Sequence, residues 1–307
     1  MPVRPPALRP GDSVAVIAPA SPPRPVRYYH AGLDRLRQFY DVQLAWAPGA
    51  ERGYLAAPDA DRAAAFHRAL RRPDIRAIFC VRGGYGTLRL LNRIRWPLAR
   101  QHPTLLVGYS DITALQLALH ARAGWTSLSG PVVTEWAEAD DETLDHIRSL
   151  AEGRCPPLSS DLTPLCSGTA RGPLIGGNLS VLSRLVGTPY APQFQGSILC
   201  LEDVAEAPYR IDRMLSHLEH AGILQAVDGV VLGDFSTGSD VSPPSLSLEE
   251  VFRDYLGDRP YPVATDLSYG HLLPRRTLPL GGRVALDVTN TKGQLKLLSP
   301  IVKRTAD

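Results

Sequence analysis

Short apolar runs separated by helix-forming stretches dominate the first 130 residues of this 307-residue chain. Strands that alternate with helices in this way usually pair in parallel, with the helices packed on both faces of the sheet. Such sheets bind their ligands at the carboxyl ends of the strands. The pattern predicts an α/β domain over residues 1–136, with functional residues in the turns that follow the strands. The predicted strands are 13–19, 42–45, 75–81 and 105–107.

The remainder of the chain lacks this regular alternation of strands and helices. Residues 137–171 contain a charged, helix-like stretch and then a run rich in Ser, Thr and Pro, which predicts a connector. Residues 172–307 contain two helical patterns, at 209–220 and 248–256, among short strands. This mixture predicts a β-rich, partly barrel-like α+β domain. Its predicted strands are 198–201, 229–233, 262–264, 278–280, 283–286 and 294–297.

The composition excludes several classes of protein. The net charge of +2 is too small for a concentrated basic face, so we expect no nucleic-acid partner. The four cysteines form no C-x-x-C pair, which argues against a zinc or redox motif. No apolar run approaches the roughly 20 residues of a membrane helix. The first residues lack the layout of a secretion signal. We therefore expect a cytoplasmic protein with no membrane association.

Ser110 lies where a strand, a sharp turn and a helix meet. Gly108 ends the apolar run, and helix-forming residues follow Ser110 directly. A hydroxyl at such an apex is exposed above a parallel sheet, beside helix-start N–H groups that receive an anion, which suits a nucleophile. The alternative is a helix cap, formed by Ser110 or by Asp111. Ile112 replaces the last glycine of the G-x-S-x-G elbow, so an ordinary α/β-hydrolase is not supported.

A glycine-rich turn, residues 82–87, follows the predicted strand 75–81. It lacks the G-K-[ST] of a P-loop, and Arg89 occupies the third glycine position of the dinucleotide fingerprint. One reading is a tight turn that needs glycine flexibility. In the other, the backbone N–H groups of Gly84 and Asp111 form an oxyanion hole beside Ser110.

A serine nucleophile needs a base and an orienting carboxylate. His271 follows Gly270 in a short loop, a position from which a side chain can point into a cleft. The pattern around His217 does not have the spacing of zinc peptidases, so we predict no metal site. A predicted strand ends in Glu202 and Asp203, whose side chains face opposite ways. The spacing alone does not decide which of the two acids serves the histidine.

Taken together, these residues resemble the LD-carboxypeptidase family of serine peptidases, the group of the muropeptide LD-carboxypeptidases and the microcin C7 self-immunity proteins. The matching blocks occur in the expected order along nearly the whole chain. They are R-G-G-Y-G at 82–86, G-Y-S-D-I-T-A-L at 108–115, G-P-V at 130–132, I-G-G-N-L-S at 175–180, G-T-P-Y at 187–190, L-E-D-V at 201–204, P-Y-R-I-D-R-M-L at 208–215, V-L-G-D-F at 231–235 and Y-G-H at 269–271.

The resemblance implies a fold and a set of roles. The fold is an N-terminal Rossmann-like domain that carries the nucleophile Ser110 and a β-rich C-terminal domain that carries Glu202 and His271. The site lies at the domain interface of a protein that is typically a homodimer. The roles are a Ser110–His271–Glu202 triad and an oxyanion hole from the backbone of Gly84 and Asp111. The chemistry requires no metal and no cofactor.

The implied substrate is a murein tetrapeptide, from which the enzyme releases the terminal D-alanine in cell-wall recycling. Such an enzyme must hold a terminal carboxylate, and a guanidinium pairs well with one. The candidate substrate-binding residues are Arg82, Tyr85, Arg275 and Arg276.

Two alternatives stay open. The microcin branch cuts an aminoacyl-nucleotide analogue and is expected to stack an aromatic loop residue on the base. Residues 137–172 contain no Trp, Tyr or Phe, which favours the muropeptide. The second alternative is a non-catalytic muropeptide-binding module on the same scaffold. The intact triad positions argue against it.

Overall fold

The computed structural model describes residues 2–238, 244–273 and 275–303. The contacts divide the described chain into two compact units. The first is the described part of Met1–Cys155, Thr277–Gly281 and Pro300–Asp307, and the second is the described part of Pro156–Arg276 and Gly282–Ser299.

The first unit is built on a six-stranded sheet with the order β11-β5-β4-β3-β1-β2. Neighbouring strands from β2 to β5 pair in parallel, which confirms the predicted α/β architecture. Strands β3 and β4 are buried along their whole length, as expected for a sheet that is covered on both faces. The strands are β1 (Ser13–Ile17), β2 (Asp41–Leu44), β3 (Ala77–Cys80), β4 (Leu105–Gly108), β5 (Ser127–Ser129) and β11 (Leu278–Leu280).

Helices surround this sheet and connect its strands. Helix α4 is buried over most of its length, because seven of its eleven residues are Ala or Leu. The rings of Phe79 and Trp136 meet edge to face at 5.6 Å in the core. The helices are α1 (Val26–Arg37), α2 (Asp59–Arg71), α3 (Trp96–Gln101), α4 (Thr113–Ala123), α5 (Val133–Trp136) and α6 (Asp141–Ala151), with single 3-10 segments at Leu88–Arg93 and Ser110–Ile112.

Strand β11 corrects the predicted grouping of the strands. The sequence pattern predicts residues 278–280 as a strand of the C-terminal domain, but β11 pairs antiparallel with β5 in the first unit. Pro279 fits this position because a proline in a sheet is tolerated on an edge strand. An apolar run of three residues carries no signal for the sheet that it joins, so the sequence pattern could not make this assignment.

The second unit is a closed seven-stranded barrel with the order β10-β6-β13-β12-β7-β8-β9. This arrangement confirms the predicted barrel-like, β-rich domain. The strands are β6 (Ser159–Cys166), β7 (Gly168–Asn178), β8 (Ile198–Asp203), β9 (Gly229–Phe235), β10 (Val263–Thr265), β12 (Arg283–Val288) and β13 (Gly293–Leu297). The helices are α7 (Leu179–Ser183), α8 (Pro208–His220), α9 (Ile223–Ala226) and α10 (Leu248–Leu256).

The segment 137–171, expected to be a connector, is divided between the two units. Helix α6 belongs to the first unit, and β6 with the start of β7 belongs to the barrel. The sequence pattern does not predict β6, because the segment contains a proline, only one of its eight residues is buried, and its pairing with β13 is irregular. Within the described residues, no helix has the length and apolar character needed to cross a bilayer.

Candidate active site

Ser110 begins the turn between β4 and α4 in a strained backbone conformation. Its φ is +63°, a left-handed value that non-glycine residues rarely adopt and that concentrates at functional sites. Ser110 is the first residue of the 3-10 segment, whereas Tyr109 and Ile112 occupy the N-cap positions of the 3-10 segment and of α4. The half-buried Ser110 is therefore the apex of an elbow and not an N-cap residue.

The glycine-rich turn that follows β3 packs directly against Ser110. A Cβ atom built on Gly83 would lie 2.9 Å from the Ser110 Cβ and 3.2 Å from its Oγ. Only a residue without a side chain leaves room for the hydroxyl there. Two turns that are separate in the sequence thus meet at the carboxyl edge of the sheet, as the parallel topology predicts.

Asp111 joins these two turns through its carboxylate and its backbone. The Thr87 backbone N–H donates to Asp111 Oδ2 at 2.9 Å, and the Thr87 hydroxyl donates to the Asp111 carbonyl. Burial raises the pKa of the Asp111 carboxyl, while hydrogen bonds from Thr87 and Gly86 oppose the rise. The Asp111 side chain therefore caps the glycine-rich turn, and its backbone N–H lies at the start of the helical segment.

Ser21 supports the other side of the glycine-rich turn. The Tyr85 N–H donates to Ser21 Oγ at 3.1 Å, and the Ser21 N–H donates to the Gly83 carbonyl at 3.2 Å. Gly84 lies between these bonds with a φ of +99° and is exposed. This places the predicted oxyanion donor on a turn that is fixed at both of its neighbours.

Arg62 is a buried anchor that the sequence analysis did not identify. Its side chain is fully buried on α2. It donates to the carbonyls of Ala57 and Gly86 at 3.0 Å each, to the Pro19 carbonyl, and to Asp59 Oδ1 at 2.5 Å. A charged residue on the apolar face of a helix is the signal that could have found it, because buried charges require partners. Arg62 thereby fixes the glycine-rich turn through its bond to the Gly86 carbonyl.

Arg82 and Tyr85, two predicted substrate-binding residues, also lie on this turn. The half-buried Arg82 donates through Nη1 to the Pro22 carbonyl at 3.2 Å. Tyr85 is 47% exposed, and its ring meets that of Tyr54 edge to face at 5.3 Å. An exposed pair of rings next to Gly84 offers an apolar surface for a bound molecule.

His271 and Glu202 form a hydrogen-bonded pair in the second unit. The His271 Nδ1–H donates to Glu202 Oε2 at 2.8 Å. Glu202 is the penultimate residue of strand β8 and is completely buried, whereas the His271 side chain is 22% exposed. This bond fixes the tautomer that leaves Nε2 as the basic nitrogen.

Gly270 lets the His271 loop approach the strand ends. Its φ is +137°, and a Cβ atom there would lie 2.9 Å from the Asp234 Cβ and 3.2 Å from Glu202 Oε2. Arg275 and Arg276, the other predicted substrate-binding residues, are half-buried, and the Arg276 N–H donates to the Ser268 carbonyl at 2.6 Å.

The Asp203 carboxylate has a structural role and bonds to other residues than Glu202 does. Its carboxylate accepts hydrogen bonds from Asn178 Nδ2 at 3.0 Å, from the Ser180 N–H at 2.8 Å and from the Ser180 hydroxyl at 2.6 Å. It thereby secures the first turn of α7. Of the two adjacent acids that the sequence left open, Glu202 is the one bonded to His271.

No metal-binding cluster of three His, Cys, Asp or Glu side chains occurs among the described residues.

The chain is similar to known proteins along most of its length. Residues 14–130 match the LD-carboxypeptidase N-terminal domain, and residues 171–286 match the LD-carboxypeptidase C-terminal domain, of peptidase family S66. A probable murein peptide carboxypeptidase of Bacillus subtilis is 37% identical over 92% of this chain and 91% of its own length.

Solved structures share the fold. The muramoyltetrapeptide carboxypeptidase of Oxalobacter formigenes has a TM-score of 0.83 and 30% identity, covering 96% of this chain and 100% of its own. The microcin C7 self-immunity protein MccF, in complex with aspartyl sulfamoyl adenosine, has a TM-score of 0.88 and 22% identity, covering 98% of this chain and 100% of its own. At that identity, the second likeness concerns the fold alone. The chain belongs to the LD-carboxypeptidase family and is a serine-type carboxypeptidase.

Proposed function

We propose that this enzyme releases the terminal D-alanine from murein tetrapeptides through a Ser110–His271–Glu202 triad. The observation that carries the proposal is the 2.8 Å bond between His271 Nδ1 and the buried Glu202 carboxylate, because it orients an imidazole for general-base work. The left-handed elbow at Ser110 supports the role of nucleophile. The names of the B. subtilis and O. formigenes relatives support the murein peptide as substrate.

The reaction is acyl transfer. His271 Nε2 removes the proton from Ser110 Oγ as that oxygen attacks the carbonyl carbon of the L,D-amide bond. The tetrahedral oxyanion is stabilised by the backbone N–H groups of Gly84 and Asp111. His271 then gives its proton to the departing amine of D-alanine. Water attacks the acyl-enzyme with His271 again as base, and Ser110 is regenerated.

Glu202 stabilises the imidazolium that forms in each step. Its carboxylate is completely buried, so its attraction to the protonated His271 is weakly screened by water. Oε2 accepts from His271, and Oε1 is buried without a hydrogen-bond partner within the described part of the chain. The negative charge of Glu202 is thus directed to the imidazole.

A carboxypeptidase must also recognise the free carboxylate that follows the scissile bond. Arg82, Arg275 and Arg276 supply the positive charge for this role in our proposal, with Tyr85 as an apolar contact. Replacing the arginine that binds the terminal carboxylate by methionine raises KM for a tetrapeptide and does not raise KM for its C-terminal amide, which identifies the residue.

We further propose that the enzyme acts as a homodimer in the cytoplasm, on peptides returned from cell-wall turnover. The family resemblance supports both statements. Size-exclusion chromatography with light scattering measures the mass in solution, and fractionation of the producing cells locates the activity.

The exposed rings of Tyr54 and Tyr85 favour one second candidate function. Aromatic rings stack on nucleobases, so this pair is suited to an aminoacyl-nucleotide analogue of the kind held by MccF. Residues 137–172, which contain no Trp, Tyr or Phe, supply no such ring.

Product analysis by mass spectrometry separates the two candidates. The purified enzyme is incubated with a murein tetrapeptide ending in D-alanine and, separately, with aspartyl sulfamoyl adenosine. We expect D-alanine from the tetrapeptide with wild type and with Ser160→Ala, an exposed-serine control, and none with Ser110→Ala. Cleavage of the nucleotide analogue alone would replace the murein substrate by the second candidate.

A further inference from the structure

A second carboxylate, that of Asp234, lies beside the His271–Glu202 pair. Asp234 is the penultimate residue of β9, the strand next to β8 in the barrel. Leu201 of β8 pairs with Leu232, but two residues later Asp203 pairs with Phe235. Strand β9 therefore contains one extra residue at this point, which is a β-bulge. Glu202 and Asp234 both lie within this bulge.

Bulges occur beside active sites because they turn a side chain toward a new direction. The position of Gly270 shows the direction here. A Cβ atom on Gly270 would lie 3.1 Å from Asp234 Oδ2 and 3.2 Å from Glu202 Oε2. Both carboxylates therefore face the backbone that immediately precedes His271.

Asp234 holds this loop by two hydrogen bonds. Its carboxylate Oδ2 accepts from the Leu272 N–H at 3.0 Å, and its own N–H donates to the Tyr269 carbonyl at 2.8 Å. The two bonds lie on either side of His271 in the chain. Leu272 is exposed, so this end of the loop is not fixed by burial of its side chain.

We propose that Asp234 is a positioning residue, which holds the loop 269–272 so that His271 stays in hydrogen-bonding reach of Glu202. The role rests on the proposed function, in which His271 is the base. A base that is displaced by about 1 Å loses on the order of 10²-fold in rate, so a residue that fixes the loop affects turnover without touching the substrate.

The negative charge of Asp234 also affects the pKa of His271, which gives the positioning role a second measurable consequence. Three groups act on its carboxylate: the Leu272 N–H, Arg275 and His271. Burial raises the pKa of Asp234, and these three groups lower it. In its ionised form the carboxylate stabilises the imidazolium of His271. Removing the charge should lower the pKa of His271.

Two variants separate the charge from the hydrogen bond. Asp234→Asn keeps an oxygen acceptor for the Leu272 N–H and removes the charge, whereas Asp234→Ala removes both. Asp266→Asn is the matched control, because Asp266 is an exposed carboxylate of the same unit with a left-handed φ of +62° that asparagine tolerates. Its carboxylate accepts from the hydroxyl of Thr265, outside the loop 269–272.

The first measurement is the titration of the His271 imidazole by NMR, assigned with His271→Gln, which requires no substrate. We expect the pKa of His271 to fall by about 0.5 to 1 unit in Asp234→Asn and to be unchanged in Asp266→Asn. The second is steady-state release of D-alanine as a function of pH. In Asp234→Asn the acid limb of kcat/KM should move to lower pH, because the base is then neutral over a wider range.

Asp234→Ala tests the positioning itself. We expect kcat to fall by about 10- to 100-fold, with KM within about threefold, at temperatures where thermal unfolding shows the variant to be folded. A kcat within twofold of wild type in Asp234→Ala, or an unchanged pKa of His271 in Asp234→Asn, would overturn the proposal. Absence of D-alanine release by wild type would instead overturn the proposed function, while the titration still decides the role of Asp234.

Discussion

Thr87 donates both its backbone N–H and its hydroxyl to Asp111, so the turn after β3 is bonded to the turn after β4. The first turn carries Gly84 and the second carries Ser110, and both lie at the carboxyl edge of the same sheet. The relative position of the proposed oxyanion donors and nucleophile therefore depends on a side-chain contact as well as on the strands. The Asp111 side chain holds the turn after β3, whereas the Asp111 backbone N–H is a proposed oxyanion donor.

Substitution of the Asp111 side chain tests this separation, because every variant keeps the backbone N–H. Asp111→Ala removes the acceptor of the Thr87 N–H and loosens the glycine-rich turn, so we expect kcat to fall by about 10- to 100-fold. Asp111→Asn keeps an oxygen acceptor for the Thr87 N–H and should retain more activity than the alanine variant. Steady-state kinetics on a tetrapeptide measure both effects, and equal, wild-type turnover in the two variants would show that the bond is not needed.

The same carboxyl predicts a pH dependence of stability. Burial raises the pKa of Asp111 in the folded protein, so the folded state binds the proton more tightly than the unfolded state. Its contribution to stability is fully present below the unfolded pKa near about 3.9 and is lost as pH rises through the folded pKa. Relative to Asp111→Asn, the wild type should therefore lose free energy of unfolding as pH rises above about 4. Urea denaturation across this range measures the difference, and a constant difference contradicts the assignment.

Arg62→Met should destabilise the first unit and loosen the glycine-rich turn. The change leaves buried carbonyls of Pro19, Ala57 and Gly86 without their donor. Asp59 keeps its pair with Arg89, so the cost comes from the carbonyls. A buried hydrogen-bonding group without a partner costs about 1–3 kcal/mol, and we expect a loss of unfolding free energy of about 3 kcal/mol or more. Arg71→Met, an exposed change on the same helix, is the control and should cost less than about 0.5 kcal/mol. Similar unfolding curves for the two variants would refute the anchoring role of Arg62.

Glu202 and Asp203 should respond differently to removal of their charge. Glu202→Gln disturbs the tautomer and charge partner of His271, so kcat should fall by about 10²- to 10⁴-fold with a smaller effect on stability. Asp203→Asn weakens the bonds from Ser180, so the free energy of unfolding should fall by about 1–3 kcal/mol. Kinetics and chemical denaturation of both variants check the contrast. The reverse pattern would exchange the two roles.

Gly83→Ala tests the close packing of the two turns. The new methyl group would lie 2.9 Å from the Ser110 Cβ, so the serine must move or the turn must shift. We expect a loss in kcat of about 10²-fold, because the displacement occurs at the nucleophile. Near-normal turnover would mean that the turn accommodates a side chain.

The first unit could be predicted largely from its sequence. Buried parallel strands are continuous apolar runs, which are recognised directly, and their carboxyl ends then locate the turns that carry Ser110 and Gly84. The hydrogen bond between His271 and Glu202 joins residues 69 positions apart, so the local pattern leaves Glu202 and Asp203 open, and only the family resemblance chooses Glu202.

Other features depend on contacts that no local pattern encodes. Strand β6 has a proline and several solvent-facing residues, and β11 is only three residues long. The roles of Arg62 and Asp234 arise from carbonyl and N–H partners in distant turns. The sequence shows an arginine among the alanines of a helix and an acid after a predicted strand, but it does not show their burial or their partners.

Trapping of Ser110 tests the central claim most directly. The intact enzyme is treated with a fluorophosphonate, which a nucleophilic serine attacks with loss of fluoride, and the adduct is located by peptide mass spectrometry. We predict a single adduct on Ser110 in wild type, formation at least about 10²-fold slower in His271→Ala, and none in Ser110→Ala. Inactivation through an adduct on a different residue, or an unchanged rate at Ser110 in His271→Ala, would contradict the proposed triad.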